Sequence, residues 1–186
     1  MTFLFCLLDA YGGNFICLYR HVVFCILSSV CAADFARPLL ACLRTKTESA
    51  AGDGADEASY EWVFYDLDSI CSGRGSVAVR QRAGGKVTLN DMRESFATKV
   101  DNTGNVCLWP AEEVMAHYIL SRATEFSGKH ICELGAGVGL CGLAMACALD
   151  ASSLLLTDGN KQVVETLDKA LKVLVQLVAS HTSSIH

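Results

Sequence analysis

No Cys-x-x-Cys pair occurs among the ten cysteines, at positions 6, 17, 25, 31, 42, 71, 107, 132, 141 and 147. The five histidines form no spaced ligand set with them, which argues against a structural zinc site, and no metal is expected. Basic charge is also short. Fifteen Lys and Arg against twenty Asp and Glu leave a net charge of −5, the wrong balance for a general nucleic-acid binder. Long apolar runs are missing too. Phe3–Leu8 and Val22–Ala33 are the strongest, and neither approaches the roughly 18–20 residues that span a bilayer. With 52% apolar and 19% charged residues, 186 residues suit one globular α/β domain or part of a larger protein.

Cysteine usage points to a compartment. Cys132 stands before a glycine cluster and Cys141 and Cys147 after it, all in apolar runs, where thiols behave as small hydrophobes. Buried reduced thiols place the chain in a reducing compartment, the cytoplasm and also the nucleus. The sequence divides into three stretches. Residues 1–45 are an apolar extension; Arg20 followed by Val22–Ala33 loosely imitates a signal peptide, but Asp9 and Gly12-Gly13 interrupt the approach. Residues 46–104 open with seven acids and no base between Glu48 and Asp68, a solvated connector running into the aromatic segment Tyr60–Tyr65. Residues 105–186 carry the chemistry.

Val77 and Val79 alternate with Ala78 and Arg80, Gly84-Gly85 interrupts, and Val87 and Leu89 resume the alternation. Two glycines between alternating segments predict a β-hairpin, because a type I′ turn needs positive φ at both central residues. Residues 74–100 hold six bases against two acids, in an acidic protein. Either these charges blunt an exposed edge, or Arg80, Arg82 and Lys86 form a docking face for an acidic partner. Trp109-Pro110 then opens a helix, with Pro110 at its first position and Glu112 and Glu113 at the positive end of its dipole.

His130–Leu134 reads as a buried strand, followed at once by Gly135-Ala-Gly-Val-Gly139. Leu140–Leu149 is apolar on all sides and rich in small residues, a helix that packs closely on a sheet. Ser153–Asp158 is a second strand ending in a carboxylate, and Lys161–Val178 a further amphipathic helix. Strand, glycine loop, helix, strand, acid, helix is the opening half of a doubly wound nucleotide-binding sheet. Glycines let backbone approach a ligand, and a helix start offers open N–H groups. A carboxylate nineteen residues beyond Gly139 can accept both hydroxyls of an adenosine ribose. The loop reads Gly-x-Gly-x-Gly, with Leu140 where a dinucleotide site would place its third glycine and Glu133 two residues before the first. That form suits S-adenosyl-L-methionine; a dinucleotide site and a ligand-free turn are the alternatives.

Three segments carry a family resemblance: Asn105–Tyr118 with its Trp-Pro-Ala-Glu-Glu-Val, Cys132–Gly137, and Leu154–Asn160 with its Leu-Leu-Thr-Asp-Gly-Asn. Over roughly residues 58–172 the chain resembles the calmodulin-lysine N-methyltransferases, within the seven-β-strand protein-lysine methyltransferases. The resemblance implies a partial Rossmann-like seven-β-strand sheet preceded by a small β-hairpin region, and transfer of a methyl group from S-adenosylmethionine to a lysine of calmodulin. It implies that Gly135, Ala136 and Gly137 line the cofactor site, that Asp158 binds the ribose hydroxyls and that Trp109 packs nearby. Glu133 would orient the loop or the methionyl amine. The family's acid-x-x-Tyr motif is absent after the glycine loop. Its only counterpart, Glu57-Ala-Ser-Tyr60, lies upstream, so no catalytic residue is assigned. The resemblance further implies a C-terminally shortened chain with two sheet strands, an exposed sheet edge and no acceptor half, inactive in methyl transfer. A non-catalytic binding fragment and an NAD(P)-binding oxidoreductase fragment are the competing readings.

Overall fold

The computed structural model describes residues 4–8, 15–17, 44–50, 60–71, 74–99 and 102–183. Val22–Ala33, the glycines of the acidic connector and Glu57 lie outside them. Strands and helices run in the order β1 (Leu4–Leu8), β2 (Phe15–Cys17), β3 (Arg44–Ala50), β4 (Tyr60–Asp66), β5 (Ser76–Arg82), α1 (Leu89–Thr98), α2 (Pro110–Leu120), α3 (Ala123–Phe126), β6 (His130–Leu134), α4 (Leu140–Ala148), β7 (Ser153–Thr157) and α5 (Lys161–Ser183). A 3₁₀ turn at Asn102–Asn105 precedes α2. Among these helices none is long and apolar enough to cross a membrane.

Two sheets form. β6 and β7 pair in parallel, with Cys132 opposite Leu155 and Leu134 opposite Thr157, and α4 makes the crossover between them. This is the strand–loop–helix–strand unit that the glycine spacing predicts. The expectation of a sheet of two strands alone is corrected, whereas an exposed edge remains at β7 among the described strands. β1, from the apolar extension, pairs antiparallel with β6, and β2 follows on β1, giving the order β2-β1-β6-β7. β6 is therefore hydrogen-bonded on both sides. β7 is the edge, with Leu155 59% exposed.

β3, β4 and β5 form a second, antiparallel sheet, with Val63 opposite Val79 and Tyr65 opposite Val77. The Glu48–Asp68 stretch is thus strand at both ends rather than a connector throughout. The exposed hairpin around Gly84-Gly85 is also corrected. Its first strand exists as β5, and both glycines take the positive φ the turn requires, 77° and 52°. No second strand follows. Thr88 instead caps α1, its hydroxyl accepting the Asp91 N–H while the Asp91 carboxylate accepts the Thr88 N–H. This reciprocal capping box outweighs two residues of apparent alternation.

β5 is far from exposed. Val77, Ala78 and Val79 are fully buried, because α4 and α5 pack against the strand. Val77 and Val79 join Met115 and Ile119 of α2, Leu140, Leu143 and Met145 of α4, and Ala170 and Leu174 of α5 in one core. Each large apolar side chain buried there contributes about 1.5–3 kcal/mol. Gly142 sets how close α4 comes to the parallel strands: a Cβ on it would run into Leu156 and stand 2.5 Å from a Glu133 carboxylate oxygen.

Candidate functional site

The glycine loop lies at the carboxyl ends of β6 and β7, where open parallel sheets bind ligands. Gly135, Gly137 and Gly139 all take positive φ, 72°, 57° and 85°, conformations that cost a side-chain-bearing residue strain. The Gly135 and Ala136 N–H groups both donate to the Thr157 carbonyl at 2.9 Å, and the Thr157 hydroxyl donates to the Glu133 carbonyl. The loop is thereby stitched to the end of β7. Gly139 donates back to Ala136 O, closing the turn before α4 begins.

Asp158, the first residue past β7, lies half-buried beside this loop. One carboxylate oxygen accepts the Gly137 N–H at 3.1 Å and the other the Asn160 N–H at 2.8 Å. An ionised carboxylate has about four lone-pair sites, so these two bonds leave acceptor capacity for hydroxyl donors. Asn160, which the sequence reading passed over, is buried and caps α5 by accepting the Gln162 N–H. Its signal was present, since asparagine two residues before a glutamine at a helix start is a common cap.

Glu133 is completely buried, and neither carboxylate oxygen has a hydrogen-bond partner. Burial raises its pKa to about 8, the Asp158 charge adds to that shift, and the nearby Gly142 N–H opposes it. Glu133 therefore stays largely protonated at neutral pH.

Of the expected residues, the structure brings Glu133, Gly135, Ala136, Gly137 and Asp158 together. Trp109 is the N-cap of α2, with its indole N–H buried and without a partner. One turn further along, Glu112 does reach the loop: it is 1% exposed and accepts the Leu140 N–H at 2.5 Å. The sequence presents Glu112 and Glu113 as equivalent dipole partners. They diverge, with Glu113 accepting from the Tyr65 hydroxyl.

The expected docking face changes composition. Arg80 is 6% exposed and lies 3.8 Å over the Tyr60 ring. Arg82 forks onto both oxygens of Asp91 at 2.8 and 2.9 Å, and that bond holds the Asp91 carboxyl well below the usual range. Both arginines are engaged within the fold, Arg80 buried and Arg82 half-buried. Lys86 is exposed. The Tyr60 of the upstream acid-x-x-Tyr string opens β4 and lies beneath Arg80. Among the described cysteines, Cys71, Cys107, Cys141 and Cys147 are free thiols, with Cys141 buried and the other three half-buried.

A lysine methyltransferase family profile matches residues 81–185. The chain belongs to the lysine methyltransferase family. Calmodulin-lysine N-methyltransferase of Arabidopsis thaliana is 40% identical over 67% of the chain and 39% of its own length. The human protein-lysine N-methyltransferase EEF2KMT is 29% identical over 73% of the chain and 40% of its own length. The mouse EEF2KMT is 33% identical over 46% of the chain and 24% of its own length. The chain thus spans at most about two fifths of the curated relatives it matches. No solved structure matches it significantly. The family match covers α1 through α5, and hence the glycine loop, the crossover helix and Asp158.

Proposed function

We propose that the chain is the cofactor-binding part of an S-adenosylmethionine-dependent protein-lysine methyltransferase, with calmodulin as the protein substrate. The observation that carries the cofactor reading is Asp158, tied to Gly137 across the mouth of a parallel strand pair. Gly135, Ala136 and Gly137 would line the cofactor site, and Asp158 would take the ribose hydroxyls through its remaining lone pairs. When bound, the sulfonium supplies an activated methyl group, so the protein's share of the work is alignment and exclusion of water around a neutral lysine amine. Leu140, at the place of a dinucleotide site's third glycine, is buried in the core, which favours the shorter loop form.

Calmodulin is the finer step. It rests on the 40% identity to the Arabidopsis enzyme, against 29% and 33% for the relatives with the other name. Among the three bases first considered for docking an acidic partner, Lys86 alone stays in the proposal. The cofactor reading is tested by calorimetry with S-adenosylmethionine and, separately, NAD. Binding of the first and not the second is expected, with Asp158→Ala weakening it about tenfold or more. Unchanged affinity in that variant rejects the ribose assignment.

A further inference from the structure

Gly139, the residue before α4, has no side chain with which to cap the helix, and its own φ of 85° is what turns the loop into it. The first turn of α4 therefore begins with open N–H groups in a buried place, a costly arrangement unless something accepts from them. A side chain from another helix does so. Glu112 leaves the first turn of α2, is 1% exposed, and receives the Leu140 N–H; the Gly139 and Cys141 amides favour the same carboxylate. The arrangement has a cost. Burial pushes the Glu112 carboxyl well above its usual range, the neighbouring acid Glu133 adds to that, and the second Glu112 oxygen has no partner. The groups facing it are Glu133 from β6 and Cys141 from α4, with Cys107 on its own side.

The bond completes a continuous path. Trp109 O accepts from the Glu112 N–H at 2.9 Å, and Glu112 holds Leu140. Gly139 holds Ala136, Ala136 holds Thr157, and the neighbouring Gly137 holds Asp158. We infer that Glu112 is a positioning residue of the candidate cofactor site, fixing the exit of the glycine loop and joining it to the Trp109 end of α2. This rests on the cofactor reading above. It assigns Glu112 a task that the dipole of its own helix does not explain.

The test uses the 186-residue chain, with S-adenosylmethionine affinity by calorimetry and Leu140 amide exchange by NMR. In Glu112→Ala, Leu140 should exchange about tenfold faster and the affinity should fall about tenfold, the range of a lost helix cap. Glu112→Gln should restore both to within about threefold, because its amide oxygen can accept the same N–H. If the alanine variant does not fold, Glu112→Asp replaces it. That side chain keeps the carboxylate but is one methylene short, and should lose both Leu140 protection and affinity. Unchanged Leu140 protection in the alanine or aspartate variant overturns the inference. So does faster exchange with unchanged cofactor affinity, which would make Glu112 a helix cap and no more. Failure of the unmutated chain to bind the cofactor rejects the underlying reading instead, at an earlier step.

Discussion

Two places in the molecule carry runs of positive-φ glycine, and they use it differently. At Gly84-Gly85 the chain turns at the surface, and a Cβ built on Gly84 meets nothing within 4 Å. At Gly135–Gly139 the chain turns inside a packed unit, and a Cβ on Gly139 would run into Leu167. At the first place Gly84 needs to be glycine for its dihedral angle alone, although a Cβ on Gly85 would stand 3.3 Å from the Cys107 Cβ. The second needs it for the angle and for the space as well. A glycine pair in a sequence signals the angle, but only neighbours far along the chain decide whether space is at stake.

The sharpest way to break the comparison is Gly139→Ala. Positive-φ strain and a collision with Leu167 together should destabilise the fold by about 3 kcal/mol. Gly84→Ala should cost only the strain, about 1–2 kcal/mol. Thermal or urea unfolding of the two variants side by side checks this, and equal losses would erase the distinction between the turns.

The second prediction concerns pH. Glu133 titrates near 8 in the fold and near 4.5 when unfolded, so the folded state binds the extra proton across that window. Stability supported by the protonated form is present below pH 4.5 and is lost as the pH rises toward 8, by at most about 1.4 kcal/mol per unit. Glu133→Gln, which keeps a neutral group there, should flatten the decline. Denaturant midpoints between pH 5 and 8 would show it; parallel curves for the two proteins would mean that Glu133 is already ionised in the fold.

The β6–α4–β7–α5 unit was legible because its signals are local. Apolar strand, glycine loop, small-residue helix and terminal acid follow one another within a single crossover, and each fixes the next. The region before it was not. Val87 and Leu89 fit a strand by alternation, but Thr88 and Asp91 fit a helix start, and Arg82 settles the matter by gripping Asp91 from β5. That grip depends on tertiary placement. The pairing of Leu4–Leu8 with β6 was equally hidden, since nothing in an apolar pentapeptide names its partner strand. Within the candidate site, Gly135, Gly137 and Asp158 could be chosen by spacing. Glu112 could not, because two adjacent glutamates look alike until the helix sets one toward α4 and the other toward Tyr65.

Asp158 has one more consequence. Its two oxygens are already held by the Gly137 and Asn160 amides, so the side chain stands in a single orientation before anything arrives. A ligand hydroxyl meeting a freely rotating carboxylate must stop that rotation, at about 0.5–1.5 kcal/mol for each immobilised side chain. Here the backbone has done so during folding. For the proposed ligand the acid would be a fixed receptor, and the entropy of ordering it belongs to the stability of the protein rather than to the affinity of the site.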